Sequence, residues 1–288
     1  MKWNPQTRRY EDSKGKPIPE SQIRQDVDEF IASNQDEVDN KTEELIAGTI
    51  TVAAFFLFMR GMLTSMHGAA GVVAYGGEEQ MGSKEWGRIA EKVASELAYL
   101  ENFERQLLAT QQATESLAVD AAALIARNAD VPAGLESVVE QRVLSALMQG
   151  TSVEDAIAGA LADSVGVDAA QGVAATVTAD VLESQRMENL IWGQVSSRAR
   201  MYPDAAFATY ENSVKDRETD VGAIGARRIT EGDEHVCDGC EGAASDVYVP
   251  ISEIADIGDF ECGGRDRCHF EFEYLGVEPL EIAREVYA

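Results

Sequence analysis

All four cysteines of this chain lie in one short window near the C-terminus, and a histidine stands at each end of it. In chain order these residues are His235, Cys237, Cys240, Cys262, Cys268 and His269. Clustered thiols meet in one small folded unit, where they bind a metal, cross-link, or pin a hairpin that is too small to have its own core. The window therefore constrains the C-terminal part of the fold more than any other feature.

The spacing of the cysteines suits a metal site. The first two form a C-x2-C pair and the last two a C-x5-C pair, with 21 residues between the pairs. Two such pairs on turns can converge as four thiolates around a tetrahedral Zn²⁺, whose binding would stabilise a minimal sheet. Because the second pair is loose, a histidine could replace one thiolate. The predicted ligands are Cys237, Cys240, Cys262 and Cys268, with His235 and His269 as substitutes.

Two other states of the window stay open beside a structural zinc. The cysteines could form one or two disulfides, or they could remain reduced and pack as small apolar groups.

The same residues argue against catalysis. A zinc deaminase needs His-x-Glu followed by Pro-Cys-x-x-Cys, and the string from His235 to Cys240 has neither the Glu nor the Pro. A Cys/His nucleophile pair would need an orienting third group, which is not identifiable here. The chain also lacks a phosphate-binding Gly-rich loop, a nucleophile elbow and an HExxH string. We therefore expect a protein that is not an enzyme.

The charge of the chain limits its partners. Acidic residues outnumber basic ones by 51 to 24, which gives a net charge of -27, and only 7 of the basic residues are Lys. Such an excess repels phosphate backbones, so we expect no sequence-specific nucleic-acid binding. Two explanations of the acidity stay open: a solvated surface, or adaptation to molar salt, where a Debye length of about 3 Å screens the repulsion among carboxylates.

Neither a leader nor a membrane segment is expected. Residues 1–20 are polar, contain three prolines and lack an apolar run, so we expect synthesis and function to begin in a cytoplasm. The longest apolar run, residues 46–59, has 14 residues, fewer than the roughly 20 that cross a bilayer. We predict that it is a buried helix.

Helical periodicity covers much of the N-terminal part. Apolar residues recur at helical steps over residues 23–46 and 86–107, and Ser83 is placed to cap the second of these helices. The Gly-rich stretch 68–77 predicts close packing or a sharp turn. His67 lies among apolar residues, which favours a buried structural role over a ligand role.

The middle of the chain differs in amino-acid composition from the N-terminal part. Residues 108–182 are rich in Ala, Val, Gly and Asp and predict an inserted helical hairpin or small bundle. Ser152 and Asp155 have the spacing of a capping box that uses Asp. A low-complexity linker is the alternative.

Periodicity then switches from helix to strand. A helix is predicted from Met187 to Val214, followed by short β-favouring runs at residues 226–230, 246–251 and 270–274. The FEFEY string of the last run alternates aromatic and acidic residues, so one face should be buried and the other wet. Residues 279–287 predict a short helix.

Together these patterns predict an α+β fold in four parts. These are an N-terminal helical region (1–107), an Ala-rich inserted helical subdomain (108–182), a long helix (183–222) and a small Cys-pinned β-hairpin module with a short C-terminal helix (223–288).

The order of sequence strings resembles one protein family. RARMYPDAAFATYENSVKDRE, RRITEGDEHVCDGC and VYVPISEIADIGDFECGGRDRCHFEFEY resemble the C-terminal module of Mu F-like minor head proteins, also called head morphogenesis proteins, of tailed viruses. RYEDSKGKPIPESQIRQDVDEFI and HGAAGVVAYGGEEQMGSKEWGRI resemble the N-terminal helical part of siphovirus members. Residues 108–182 have no counterpart there.

The cysteine pattern matches that family in part. Family members typically close the module with Cys-x3-Cys-x-Cys or Pro-Asn-Cys-Arg-Cys. Cys237, Cys240 and Cys268 carry over, whereas Cys262 is displaced and His269 stands at the place of another thiol. The departure bears on metal stoichiometry more than on the resemblance itself.

The resemblance implies a non-catalytic virion component in few copies. It would act with portal and capsid proteins at the portal vertex or in the head interior during procapsid assembly in the host cytoplasm, without a membrane, and it could be oligomeric within the virion. Together with the acidic composition, the resemblance points to a tailed virus of a halophilic archaeon. The second hypothesis is a cellular zinc-ribbon-like adaptor that recruits a protein partner.

Four aromatic residues are either contact residues or core: Trp86, Trp192, Tyr202 and Tyr210.

Overall fold

The computed structural model describes residues 1–127, 134–184, 194–230, 237–259 and 268–275. For residues 180–184 it describes the backbone alone. This part of the chain is mostly helical and contains two small antiparallel sheets. The predicted α+β class is confirmed. The predicted helix at residues 279–287 lies outside the described residues.

The described ranges contain eight helices and six strands. The helices are α1 (Glu20–Ile46), α2 (Val52–Tyr75), α3 (Ser83–Ala126), α4 (Glu136–Met148), α5 (Val153–Val165), α6 (Val167–Ser184), α7 (Val195–Asp220) and α8 (Asp238–Ala243). The strands are β1 (Lys2–Asn4), β2 (Arg9–Glu11), β3 (Pro17–Ile18), β4 (Ala223–Ile229), β5 (Val249–Pro250) and β6 (His269–Tyr274).

The chain separates into two compact units. The first unit comprises Met1–Glu37, Met59–Ala98 and Arg200–Ala288, and the second comprises Val38–Phe58 and Tyr99–Ala199. The four-part division expected from the sequence stays a prediction.

The second unit has a core of small and branched side chains. Buried residues of α4, α5 and α6, such as Val143, Ile157 and Ala174, pack with Leu117 and Ile125 from the end of α3. The helices predicted in residues 108–182 are therefore present where a linker was the alternative. Ser152 caps α5 as predicted, since its Oγ accepts the N–H of Asp155 (3.2 Å) and donates to that carboxylate (2.7 Å).

The apolar run at residues 46–59 is not one helix, so that prediction is wrong. The chain turns at Gly48, whose φ of 71° suits glycine, and α2 begins after Thr51, whose Oγ1 accepts the N–H of Ala54 (3.1 Å). Phe55 is buried, whereas Leu57 is 72% exposed. No helix in the described ranges is long and apolar enough to cross a membrane.

A three-stranded sheet opens the first unit. Its order is β1-β2-β3, and Trp3 of β1 pairs with Tyr10 of β2, with their buried rings in edge contact at 5.1 Å. No strand is predicted here from the sequence, because strands of two or three residues are too short to reveal an alternation.

The Gly-rich stretch behaves as predicted. A Cβ on Gly71 of α2 would lie 2.1 Å from the Ile89 Cδ1 of α3, so the two helices approach closely at this point. Gly76 ends the helix with a φ of 81°, and a Cβ there would lie 2.1 Å from the backbone nitrogen of Trp3. The N-terminal sheet therefore packs against the C-terminal end of α2.

The cap of α3 differs from the prediction by one residue. The helix begins at Ser83, and the preceding Gly82 donates its N–H to the Glu85 carboxylate (2.7 Å). In the predicted apolar stripe Leu100 and Phe103 are buried.

Candidate functional site

The C-terminal sheet has the order β5-β4-β6, with antiparallel neighbours. Arg228 of β4 stands opposite Phe270 of β6, and Ala226 stands opposite Phe272. All three predicted β runs contribute strands, although β5 has only two residues. Phe270 is buried and Glu273 is exposed, as the predicted alternation requires, but Glu271, Phe272 and Tyr274 are all half-buried.

Three of the four cysteines contribute to one apolar cluster beside this sheet. Cys240 and Cys268 are buried with Phe270 and Ile257, and the half-buried Cys237 packs against them. The structure thus brings together three predicted ligands that are separated by up to 31 positions in sequence. Cys262 and His235 lie outside the described residues.

The C-x2-C pair forms a compact turn. Cys237 is the N-cap of α8, and its Sγ accepts the backbone N–H of Cys240 (3.4 Å). A donor aimed at sulfur suits a thiolate ligand, so this local geometry fits a metal-binding turn as well as a simple helix cap.

A buried arginine lies against the same pair. Arg228 is 1% exposed, and its Nη1 lies 3.5 Å from the Cys240 Sγ. Its Nη2 donates to the carbonyl oxygens of Ala255 (2.7 Å) and Asp256 (3.0 Å). Sequence reasoning missed this residue, because an arginine in a short β run ordinarily points to solvent.

Strand alternation predicts that His269 lies on the face of β6 opposite to the cysteines. Successive side chains of a strand point to opposite faces, and Phe270, the next residue, belongs to the cysteine cluster. Burial, together with the positive charge of Arg24, lowers the pKa of His269 to about 4. The imidazole is therefore neutral near pH 7, but on the other face of β6.

A metal site stays a prediction. Among the described residues, no three His, Cys, Asp or Glu side chains are arranged to hold a metal ion. Two of the six predicted ligands, Cys262 and His235, are not among those residues.

Helix α7 carries an unusual set of buried polar side chains. They are Thr209, Glu211, Asn212, Ser213, Arg217 and Glu218. The predicted helix from Met187 to Val214 is observed from Val195 to Asp220, and Met187 itself lies outside the described residues. Near the charged C-terminal end of this helix, Arg217 and Glu218 are buried.

Glu211 connects α7 to two other elements. Its side chain is fully buried; Oε1 accepts from Arg24 Nε of α1 (2.9 Å) and Oε2 accepts from the N–H of Phe270 in β6 (3.4 Å). Burial raises the pKa of Glu211 to about 7, because desolvation outweighs the attraction of Arg24. The Glu211 side chain therefore connects α7 to Phe270, the second residue of β6.

Two further polar contacts surround α7. The Asn212 amide donates to the Ile257 carbonyl (2.8 Å) and accepts its N–H (2.9 Å). His67 of α2 is buried with its Nδ1 2.6 Å from the Thr209 Oγ1. Burial lowers the pKa of His67 to about 4, and the Lys92 charge adds to this. The predicted structural role of His67 is consistent with this burial.

The predicted aromatic anchors divide into two groups. Tyr202 and Tyr210 are buried in the core, whereas Trp86 is 38% exposed. Trp192 lies outside the described residues. Of the three predicted anchors that the structure describes, Trp86 is thus the one available as a contact for a partner.

Comparisons with protein-family models, with curated proteins and with solved structures find no match to this chain.

Proposed function

We propose that the chain is a structural, non-catalytic minor head protein of a tailed virus. It acts with portal and capsid proteins at the portal vertex or in the head interior, first in the host cytoplasm during procapsid assembly and later in the virion.

One observation carries the proposal. In the described part of the stretch that resembles Mu F-like minor head proteins, α7 leads into the sheet and contacts it through Glu211 and Phe270. Asn212 secures the loop beside the cysteines by two hydrogen bonds to Ile257. Side chains held in this way suit a rigid docking module, because preorganised surfaces lose little entropy on binding.

The charge of the chain supports protein partners over DNA. A net charge of -27 opposes binding to a phosphate backbone, so contact with the packaged genome would be unfavourable except at high counterion concentration. The same acidity is compatible with a virus of a halophilic host.

A structural zinc is part of the proposal. The clustered Cys237, Cys240 and Cys268 are its candidate thiolate ligands, although these three as placed do not form a metal-binding group by themselves. Zinc would add its binding energy to the folding of a small sheet. It would have no catalytic role here.

Association with the portal tests the proposal directly. The tagged full-length chain is co-expressed with any portal and major capsid proteins that its neighbouring genes encode, and complexes are isolated in molar KCl. We expect the portal protein to co-purify, and we expect mass spectrometry to find the chain in procapsids or virions. Absence from both the portal complex and the particles would overturn the proposal.

A cellular zinc-ribbon-like adaptor is the second candidate. The bond from the Cys240 N–H to the Cys237 sulfur favours it, because this turn geometry suits zinc-ribbon knuckles generally. Neighbouring genes for a portal, a terminase or a major capsid protein would argue for the virion protein, and a chromosomal setting without them for the adaptor.

A further inference from the structure

A network of buried side-chain contacts connects the N-terminal sheet to α7. Arg217 of α7 donates from Nη1 to the Tyr10 hydroxyl and to the Ala74 carbonyl, and its guanidinium stacks on the Trp3 ring at 3.5 Å. Its Nε donates to the Glu218 Oε1 (3.0 Å). Because both charged groups are buried, each depends on these partners for its stability.

The chain of contacts continues to the C-terminal sheet. The other oxygen of Glu218 accepts from the hydroxyl of Tyr274, the last residue of β6. The Tyr274 ring also contacts the N-terminal sheet directly, since the Arg8 guanidinium lies 3.7 Å from its centroid. The N-terminal and C-terminal sheets are therefore joined twice, once through α7 and once by Arg8.

The turn that carries Arg8 is strained. Arg8 has a φ of 53°, and within the described ranges it is the only residue other than glycine with a positive φ. Such a conformation is energetically unfavourable for a residue with a Cβ and persists only where surrounding contacts hold it. The contact with Tyr274 is one that can hold it.

The N-terminal sheet is seated on the end of α2. The Tyr10 hydroxyl donates to the Ala74 carbonyl (2.8 Å), and Gly76 leaves room for the backbone of Trp3. The sheet therefore covers Arg217 and shields it from water.

We propose that the N-terminal sheet, residues 2–18, is a strap that locks β6 in place through Tyr10, Arg217, Glu218 and Tyr274, with Arg8 as a second fastening. Releasing the strap exposes Arg217 to water, weakens its hold on Glu218 and loosens Tyr274. The coupling is reciprocal, because two sites that stabilise each other do so by the same free energy. This device is independent of the proposed role in a virus head.

Hydrogen exchange measured by mass spectrometry on the full-length chain tests the strap. Tyr10→Phe removes only the hydroxyl, and Arg8→Ala removes the direct fastening. Lys14→Ala is the matched control, since it deletes one exposed positive charge from the same sheet without touching Tyr274. We expect the amides of β6 to exchange about tenfold faster in the first two variants, as loss of a hydrogen bond to a buried charge allows, and at the wild-type rate in the control.

The reciprocal experiment uses the other end of the chain of contacts. Tyr274→Phe removes the bond to Glu218, and we expect faster exchange in β2. Arg8→Ala affects a partly exposed residue and keeps the test valid if Tyr10→Phe fails to fold. If exchange increases only in the sheet that carries the substitution, in either direction, the strap is overturned.

Discussion

The backbone N–H of Phe270 donates to the buried carboxylate of Glu211 (3.4 Å), so an acid from a helix satisfies one edge group of the strand β6. The other oxygen of the same carboxylate accepts from Arg24. One side chain thus joins α1, α7 and the C-terminal sheet. Such a group organises the fold strongly but is sensitive to its own ionisation.

Protonation of Glu211 should make stability depend on pH. Its pKa is about 7 in the folded chain against an ordinary 4.5, so the folded state binds the proton more tightly. This contribution is fully present below about pH 4.5 and is lost as the pH rises through 7. We expect the unfolding free energy of the wild type, minus that of Glu211→Gln, to fall by on the order of 3 kcal/mol between about pH 4 and pH 8.

Urea titrations across this pH range measure the difference. Glu273→Gln, an exposed acid of β6, is the control and should leave the pH dependence of the wild type unchanged. Parallel curves for the wild type and Glu211→Gln would contradict the expectation.

The zinc content of a variant should depend on whether the substituted residue lies on the cysteine side of β6. In protein purified without chelator we expect about one zinc per chain. Cys240→Ser and Cys268→Ser should lose it, because both residues belong to the cysteine cluster, whereas His269→Asn should keep it. Metal analysis and thiol titration make the measurement. No zinc together with four titratable thiols would favour reduced packing, and no zinc with fewer thiols would favour disulfides.

Two adjacent arginines should differ sharply in their effect on stability. Arg228→Met removes a buried guanidinium that two carbonyls and the Cys240 sulfur surround, and it should cost about 2 to 4 kcal/mol. Arg227→Met breaks a partly exposed pair with Glu271 and should cost under about 1 kcal/mol. Chemical denaturation at fixed salt compares them, and equal costs would show that Arg228 is not held as described.

Gly68 of α2 and Gly76, which follows the helix, should respond in opposite ways to substitution by alanine. Gly76→Ala places a Cβ against the Trp3 backbone at a φ of 81° and should destabilise by about 2 kcal/mol or more. Gly68→Ala meets nothing within 4 Å and should be neutral or stabilise by up to about 1 kcal/mol. Thermal unfolding monitored by circular dichroism tests both substitutions. A stable Gly76→Ala variant would show that Trp3 does not pack closely against residue 76.

Salt should decide between the two explanations of the acidity. If the surface is adapted to molar salt, the unfolding free energy should rise between about 0.1 M and 3 M KCl, because screening reduces repulsion among 51 acidic residues. A matched series in which glycerol replaces KCl controls for general solvent effects. Full stability at low salt with no gain from KCl would favour an ordinary solvated surface.

The local parts of this fold were predictable from the sequence. Helical steps of apolar residues predicted most of α1 and about half of α3, and the alternation of aromatic and acidic residues predicted β6. The Ser152 cap also follows from adjacent residue types. These features depend on contacts within a few positions along the chain, and such contacts leave a periodic or short-range signal.

The split of the apolar run at Gly48 was missed, because apolar composition alone does not show where one helix ends and the next begins. The N-terminal sheet was missed because its strands are too short for a period. Within the candidate site, the C-x2-C turn was evident, but the placement of His269 on the other face followed only from the strand itself.

The sequence by itself determined most of the helical segments, the C-terminal strands, and which thiols are close enough in the chain to share a turn. Only the tertiary structure decided that Glu211, Arg217, Glu218 and Arg228 are buried, and that Cys268 joins the pair at Cys237. The physical reason is that burial of a charged group is compensated by partners that are far away in sequence, such as Arg24 for Glu211 and Tyr10 for Arg217. No local pattern records such pairs.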